Sequence, residues 1–205
     1  MENIHKIKNF DSPWIIAHRG YRQKYPENTL AAFQAAMAAG AQMIELDVML
    51  SRDRRPVVVH DDTLERTTNG TGAVKDFTLE ELKKLDAGSW FEPRFADQRL
   101  PELSEVLALA GGRTRVNIEI KAQAYESGHP PDAIENQVVA MVRKMNLQDC
   151  ALISSFEIDF LAQIAAMEDP PAIALISHTP ASKRIVDICA HLKVFSWHPD
   201  HRIVT

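Results

Sequence analysis

The sequence predicts an α/β fold in which a mainly parallel sheet is wrapped by helices. Short apolar runs alternate with longer amphipathic segments along the chain, as they do in successive βα units. Runs such as "PVVVH" at 56–60 and "AIALIS" at 172–177 have no polar alternation, so both faces of these strands should be covered. With 205 residues, 45% of them hydrophobic and 25% charged, the composition indicates a single domain over 1–205 with a sizeable core.

Seven segments read as strands, and one junction between them is irregular. Only "LSRDRR" separates the second strand from the third, which is too short for a crossover helix. We therefore expect a hairpin or an irregular excursion at that junction. The candidate strands are 14–18, 43–49, 56–60, 115–121, 151–155, 172–177 and 193–197.

Helix signals lie between most of these strands. In "NTLAAFQAAMAAG" at 28–40, Asn28 or Thr29 can cap the start and Gly40 can end the helix. "TLEE" and "DAIE" have capping-box spacing, and a proline suits the first turn of "PELSEVLALAGG". These further helices begin near Thr78, Asp132 and Pro101, and two more are expected over 156–168 and 181–192.

The segment 61–99 departs from the alternation because it is long, polar and rich in turn residues. One short helix is expected inside it. It follows a strand directly, and in α/β barrels the loops after the strands build the active site. We interpret it as a capping insertion within the single domain.

Charge and cysteine content exclude several classes of protein. The formal net charge of -5 provides no positive field to gather nucleic acid or an anionic membrane. Residues 1–14 lack the apolar core of a secretion signal, and no later run is long enough to span a bilayer. We expect a cytoplasmic protein without nucleic-acid or membrane partners, in which Cys150 and Cys189 are reduced core residues.

Acidic side chains follow a period of two in two candidate strands. In "MIELDVM" at 43–49, Glu45 and Asp47 share one face, and in "RVNIEIK" Glu119 and Lys121 do the same. An antiparallel sheet with one wet face would give this pattern too. The fully apolar neighbouring strands favour a closed parallel barrel, whose outer face packs on helices while the acidic side chains point inward.

Three converging carboxylates need a counterion. Two unit charges ~4 Å apart at an effective dielectric constant of ~20 repel by about 4 kcal/mol, and Lys121 offsets only part of this. A divalent cation bound by Glu45, Asp47 and Glu119 would resolve the conflict. An all-oxygen ligand set favours Mg²⁺ or Ca²⁺ over zinc. The alternative is an ion network completed by Lys121 and water.

Two histidines end apolar strands, His18 after "IIA" and His60 after "VVV". A lone histidine at a strand end is usually structural, but two beside an acidic cluster can share acid and base roles at neutral pH. Arg19 offers a guanidinium fork suited to phosphate oxygens, and Gly20 permits a tight turn after it.

Several segments together resemble a known family, the glycerophosphodiester phosphodiesterases. "AHRG", "PENTLAAF", "IELDV", "VVVHDDTLERTTNGTG", "DAGSWF", "LPELSEVL", "NIEIK" and "SSFE" occur in the family's order and approximate spacing. The likeness is to the bacterial cytoplasmic branch and is close from residue 14 to about 160. It implies a distorted TIM barrel of the phospholipase-C-like phosphodiesterase type, with a capping insertion at about 61–99.

The resemblance also implies a reaction and a set of roles. Members of the family hydrolyse glycerophosphodiesters to sn-glycerol 3-phosphate and an alcohol. The implied roles are metal ligation by Glu45, Asp47 and Glu119, acid/base catalysis by His18 and His60, and phosphate binding by Arg19 and Lys121.

The C-terminal part departs from the family pattern. The chain ends at "WHPDHRIVT", and seven candidate strands stand where a closed barrel needs eight. The resemblance therefore implies that the last βα unit is lacking, and self-association through the open edge is expected.

Three other functions stay open. One is a non-catalytic barrel fragment that binds phosphate or a partner. Another is a phosphodiesterase acting on intact phospholipid. The third is a zinc-dependent hydrolase of the amidohydrolase type, with ligands drawn from His178, His198 and His201.

Overall fold

A computed structural model describes residues 13–204 as seven strands and six helices with short 3-10 turns. The strands form one sheet in the order β1-β2-β4-β5-β6-β7, and β3 pairs with β2 beside this path. The strands are β1 Ile16–His18, β2 Met43–Leu50, β3 Pro56–Val58, β4 Arg115–Ile120, β5 Ala151–Ser155, β6 Ala172–Ser177 and β7 Ser196–Pro199. The helices are α1 Leu30–Ala38, α2 Leu79–Leu82, α3 Leu103–Ala110, α4 Ile134–Lys144, α5 Ile158–Ala165 and α6 Lys183–Leu192.

The predicted α/β class is confirmed by the pairing of the strands and by the core. All pairs along the main path are parallel. Outward-facing side chains of the sheet, such as Ile44, Leu46 and Ile118, are fully buried in one cluster with helix residues that include Phe33 and Leu107. The helices therefore cover the outer face, whereas the other face carries Glu45 and Asp47 together with a small apolar cluster of Met43, Leu152 and Ala174.

The predicted irregular junction is a hairpin, and all seven predicted strands are present in the sheet. β2 and β3 pair antiparallel, with Val48 opposite Val58. Because β3 branches from β2, six parallel strands lie along the main path of the sheet. The short "LSRDRR" turn allows only an antiparallel return. Within residues 13–204, β1 and β7 are the two ends of the sheet and do not pair with each other.

Most helix starts follow the predicted caps, with two exceptions. Thr29 caps α1, its hydroxyl accepting a hydrogen bond from the Ala32 amide at 3.3 Å, and Thr78 forms a capping box with Glu81. Pro101 is not in the first turn of α3, because Glu102 caps that helix instead.

The predicted capping box at Asp132 is absent from the structure. α4 begins at Ile134 after Ala133, which makes no side-chain cap. The Asp132 carboxylate pairs with the guanidinium of Arg54 at the tip of the hairpin. A charge-assisted contact with the hairpin therefore takes the place of the local cap.

The last strand starts later than the sequence predicts. Lys193 ends α6 in the left-handed conformation, with φ of 53°, so the chain cannot extend from 193 as expected. The strand begins at Ser196.

Segment 61–99 packs against the hairpin through an apolar cluster of its own. Its 3-10 turns cover Val74–Asp76 and Pro93–Phe95, on either side of α2. The members of the cluster come from the segment, from the hairpin and from the residue that follows the segment: Leu64, Val74, Leu82 and Ala87, then Met49, Val57 and Val59, then Leu100.

Within residues 13–204, no helix combines the length and the apolar character that a membrane crossing requires. The predicted lack of a secretion signal concerns residues 1–14, of which 1–12 lie outside the described residues. Cys150 is buried and Cys189 is partly buried, and neither forms a disulfide within residues 13–204. The cytoplasmic location and the lack of nucleic-acid and membrane partners stay predictions.

Candidate active site

The carboxyl ends of neighbouring parallel strands bring three acidic side chains together. In the register of the sheet, Glu45 lies opposite His18 and Asp47 lies opposite Glu119. One carboxylate oxygen from each of Glu45, Asp47 and Glu119 lies within 4.8 Å of the other two. The convergence expected from the period-two pattern is present in the structure.

The cluster is buried and only partly neutralised. Glu45 is 5% exposed and Asp47 is fully buried. Burial, followed by the charges of Asp47 and Glu119, raises the pKa of Glu45 well above its usual range. Among the described residues, Glu45 Oε1 and Asp47 Oδ1 have no hydrogen-bond partner. Buried oxygens without partners are costly, and an all-oxygen set with free lone pairs fits a hard divalent cation.

Arg19 is held against this cluster by the turn after β1. Its main-chain N–H donates to Glu45 Oε2 at 2.8 Å, and its Nη1 donates to Glu27 Oε1 at 2.8 Å. Its Nε lies 3.3 Å from Asp47 Oδ2 without hydrogen-bond geometry. Arg19 therefore keeps a buried donor that an anionic ligand could use.

Gly20 makes the turn after Arg19 possible. Arg19 has φ of 57° and Gly20 has φ of 79°. A Cβ on Gly20 would lie 2.7 Å from the carbonyl carbon of Ala32 in α1. The sequence prediction of a tight turn here agrees with this geometry, and the close approach to α1 is an additional reason for the glycine.

Lys121 follows β4 and points its ammonium at two of the acids. Nζ donates to Glu119 Oε1 at 2.8 Å and lies 3.5 Å from Asp47 Oδ1. Its side chain is mostly buried, with 11% exposure. In this state both predicted phosphate-binding cations are paired with carboxylates.

His18 lies at the edge of the cluster. Its Nε2 is 3.9 Å from Glu45 Oε2, and its side chain is half exposed. Burial, followed by the charges of Arg19 and Arg22, lowers the pKa of His18 to about 4. The ring is therefore neutral near pH 7 in this state.

His60 has a carboxylate partner of its own. The Val59 amide donates to the Asp47 carbonyl at 3.0 Å, which brings the end of β3 alongside the cluster. His60 Nδ1 lies 2.5 Å from Asp61 Oδ1. The hydrogen bond from Arg66 lowers the pKa of Asp61 to about 2, so this partner stays ionised.

Glu27, Asn28 and Asp61 lie outside the predicted set and each contact one of its members, and Arg66 reaches the set through Asp61 and Glu27. Asn28 donates from Nδ2 to Asp47 Oδ2 at 2.9 Å, and its backbone has φ of 57°. Its side chain is available for this contact because Thr29 provides the cap of α1. Asp61 and Arg66 join His60 through the contacts above. The position of Asp61 next to His60 was a usable signal in the sequence, whereas nothing in the periodicity points to Arg66.

Several of the site residues line one cavity of about 320 Å³. His18, Glu45 and Glu119 form part of its wall, and Phe156 and His198 form another part. A larger cavity of about 520 Å³ lies between the hairpin, segment 61–99 and the connection after β4, and none of the seven predicted residues lines it.

The zinc alternative finds little support in the geometry. His178 and His198 line the 320 Å³ cavity, but His201 is 92% exposed and lies beside Asp200. Across residues 13–204, the one group of three or more histidine, cysteine or acidic residues with ligand spacing is that of the three carboxylates.

The chain is similar over most of its length to proteins of one family. Residues 18–204 match the model of the glycerophosphoryl diester phosphodiesterase family. A glycerophosphodiester phosphodiesterase of Caldanaerobacter subterraneus is 47% identical over 163 residues, which cover 79% of this chain and 65% of the relative. Another from Bacillus altitudinis is 44% identical over 150 residues, which cover 72% of this chain and 60% of the relative. The chain thus spans less than two thirds of the length of these relatives.

A solved structure agrees with these matches. A phosphodiesterase of Oleispira antarctica, in complex with the product sn-glycerol-3-phosphate, has a TM-score of 0.84 and 32% identity, covering 94% of this chain and 77% of that chain. The fold, the order of the motifs and the match over residues 18–204 lead to one conclusion. The chain belongs to the glycerophosphoryl diester phosphodiesterase family.

Proposed function

We propose that this protein hydrolyses glycerophosphodiesters to sn-glycerol 3-phosphate and an alcohol. The observation that carries the proposal is the cluster of three carboxylates within 4.8 Å of one another at the strand ends, in a chain that belongs to this family. The product bound to the Oleispira antarctica relative supports the same substrate class.

A divalent cation, Mg²⁺ or Ca²⁺, would be held by Glu45, Asp47 and Glu119. The unpartnered buried oxygens of Glu45 and Asp47 support this assignment. When bound, such an ion neutralises the carboxylates and stabilises negative charge on the phosphoryl oxygens.

Arg19 and Lys121 would bind and orient the phosphodiester. Arg19 Nε is a buried donor without an acceptor, and the guanidinium is fixed by Glu27. Lys121 Nζ now pairs with Glu119 and Asp47, and it would gain freedom to turn to a phosphate oxygen once other positive charge balances those acids.

The two histidines would move protons on opposite sides of the phosphorus. Burial, followed by the charges of Arg19 and Arg22, lowers the pKa of His18, so the ring is in the neutral form that can accept the proton of the attacking hydroxyl. His60 faces the Asp61 carboxylate at 2.5 Å, and this contact orients the ring for the role of the acid that protonates the leaving oxygen. The attacking group is either the substrate's glycerol hydroxyl, with a cyclic phosphate opened later by water, or water itself.

An assay on glycerophosphocholine tests the proposal directly. We expect release of sn-glycerol 3-phosphate that stops in EDTA and returns with added Mg²⁺ or Ca²⁺. A parallel assay on a lysophospholipid separates this activity from action on intact lipids. Absence of turnover while calorimetry shows the ion bound would leave the non-catalytic alternative standing.

The histidine variants test the chemistry. We expect His18→Ala and His60→Ala each to reduce turnover by ~10²- to 10⁴-fold, because each removes a proton-transfer group. Their unfolding midpoints should match that of the parent protein, since neither ring is fully buried. Near-normal turnover in His60→Ala would remove His60 from the mechanism.

We also propose that the open sheet edge at β1 supports self-association between two copies of the chain. Ile15 is 67% exposed and Ile16 is 43% exposed at this edge. An exposed apolar edge strand can pair with a strand of another chain through its unpaired main-chain N–H and C=O groups.

A further inference from the structure

Arg66 lies at the centre of an ion-pair chain within segment 61–99, and it was not among the predicted site residues. Its Nη2 donates to Glu27 Oε1 at 2.7 Å. Its Nε donates to Asp61 Oδ2 at 2.5 Å, and its Nη2 lies 3.1 Å from Asp61 Oδ1. The guanidinium therefore joins two carboxylates from different parts of the fold, one of them in a two-point contact.

Each of these carboxylates has its second contact with a site residue. Glu27 Oε1 also accepts from Arg19 Nη1 at 2.8 Å. Asp61 Oδ1 also faces His60 Nδ1 at 2.5 Å. Charges of alternating sign thus run without a gap from Arg19, which lies against the carboxylate cluster, to His60 on the far side of the site.

The exposure of the side chains along this chain of contacts indicates what removal of Arg66 would change. The side chains of Arg19 and Glu27 are 13% and 10% exposed, whereas that of Arg66 is 44% exposed. Ion pairs with a solvent-exposed partner contribute little to the stability of a fold. Removal of Arg66 should therefore leave the fold intact and act mainly on the two carboxylates that it holds.

The orientation of both carboxylates matters for the chemistry. An Asp61 fixed by Arg66 accepts from Nδ1 of His60, which leaves Nε2 of that ring for the substrate. A Glu27 fixed by Arg66 holds Nη1 of Arg19, which leaves Nε of Arg19 for a phosphate oxygen. Without Arg66, each carboxylate loses a strong charge-assisted donor and can rotate.

We propose that Arg66 is a positioning residue that fixes Arg19 and His60 relative to each other. It acts through Glu27 and Asp61 and does not itself touch the reacting atoms. The inference rests on the proposed function, because the two groups that it aligns are the proposed phosphate-binding and acid groups.

Steady-state kinetics of Arg66→Gln on glycerophosphocholine provide the first test. A small displacement of a catalytic group can cost roughly 100-fold, so we expect kcat to fall roughly 10- to 100-fold with an unchanged thermal midpoint. Arg66→Lys should recover only part of this loss, because a lysine cannot hold both carboxylates with a planar fork. Arg94→Gln is the matched control, since Arg94 also pairs with a carboxylate, Glu92, in the same segment. It should keep full activity.

The leaving group distinguishes positioning of His60 from general damage. A p-nitrophenyl ester of glycerol phosphate has a leaving group that needs no proton. If the acid is no longer aligned, hydrolysis of the p-nitrophenyl ester should therefore slow much less than hydrolysis of glycerophosphocholine. In a protein that already carries Asp61→Asn, the Arg66→Gln change should lower kcat little further, because Arg66 acts on His60 through Asp61. Equal losses on both substrates, or full additivity with Asp61→Asn, would overturn the proposal.

The His60 ring gives a readout that does not depend on turnover. In a long-range ¹H–¹⁵N correlation spectrum, the parent protein should show the Nδ1-protonated form of neutral His60, and Arg66→Gln should show a mixture of the two forms. If the parent protein turns over no glycerophosphodiester but the spectra differ in this way, the proposed function fails and the positioning role stands. Identical His60 spectra in the two proteins would overturn the positioning role.

Discussion

Glu45 shows at the scale of one residue how this site works against the stability of the fold. Its side chain is buried, and Oε1 has no partner among the described residues, while two further carboxylates lie within 4.8 Å. A buried polar atom without a partner costs about 1–3 kcal/mol. An unneeded carboxylate would be unfavourable here, so its presence points to a positive ligand.

Replacing Glu45 by glutamine should separate stability from ion binding. Without divalent cations, we expect Glu45→Gln to be more stable than the parent protein by about 1–3 kcal/mol, because the amide can donate to the neighbouring acids and one buried charge is gone. With Mg²⁺ or Ca²⁺ at a hundred times its Kd, the parent protein should gain ~2.7 kcal/mol, or about 5–10 °C in Tm. The variant should gain much less. Thermal unfolding by circular dichroism of both proteins in EDTA, in Mg²⁺ and in Ca²⁺ measures all six midpoints.

The control for this experiment is Glu80→Gln. Its side chain is 83% exposed, so the variant should respond to the ions as the parent protein does. A parent protein whose midpoint is the same in EDTA and in both ions would contradict the assignment of the carboxylates as ligands.

At the scale of elements, the connection between β1 and α1 carries much of the site. Arg19, Gly20 and Asn28 all have positive φ, at 57°, 79° and 57°. The main-chain N–H of Asn28 donates to the Arg19 carbonyl at 3.1 Å, and the main-chain N–H of Tyr21 donates to the Ala32 carbonyl at 3.0 Å. The connection is thereby folded tightly onto α1, and its two non-glycine residues with positive φ, Arg19 and Asn28, are the ones that touch the carboxylate cluster.

Alanine substitution at two glycines should reveal the close approach to α1. Gly40 has φ of 85° and open space around its Cβ position, so Gly40→Ala should lose only the ~1–2 kcal/mol of a left-handed alanine. Gly20→Ala would add a 2.7 Å contact with the main chain of Ala32, and overpacking costs ~1–3 kcal/mol more. Urea denaturation should show this difference.

Activity separates the same two variants further. Gly20→Ala should lose turnover because Arg19 is displaced, whereas Gly40→Ala should keep it. Equal stability and equal activity in the two variants would show that the close approach of Gly20 to α1 does not require a glycine at this position.

At the scale of the whole molecule, the sequence predicted what depends on periodicity and missed what depends on loops. Alternation along β2 and β4 placed Glu45, Asp47 and Glu119 together, because parallel strands share one register. Arg66 reaches the site from an irregular segment, and no periodic signal encodes its contacts. The hairpin of β2 and β3 could be predicted, because the six residues between the two apolar runs are too few for a crossover helix.

The open edge of the sheet gives a prediction for the assembly of the whole molecule. β1 pairs with β2 alone within residues 13–204, and the Ile15 side chain at this edge is 67% exposed. A lysine at an exposed edge opposes pairing with another chain. If copies associate here, sedimentation velocity should show a sedimentation coefficient that rises with concentration for the parent protein and stays monomeric for Ile15→Lys. Val186→Lys, at a 61% exposed position on α6, should associate as the parent does, and a parent protein that stays monomeric throughout would contradict association through this edge.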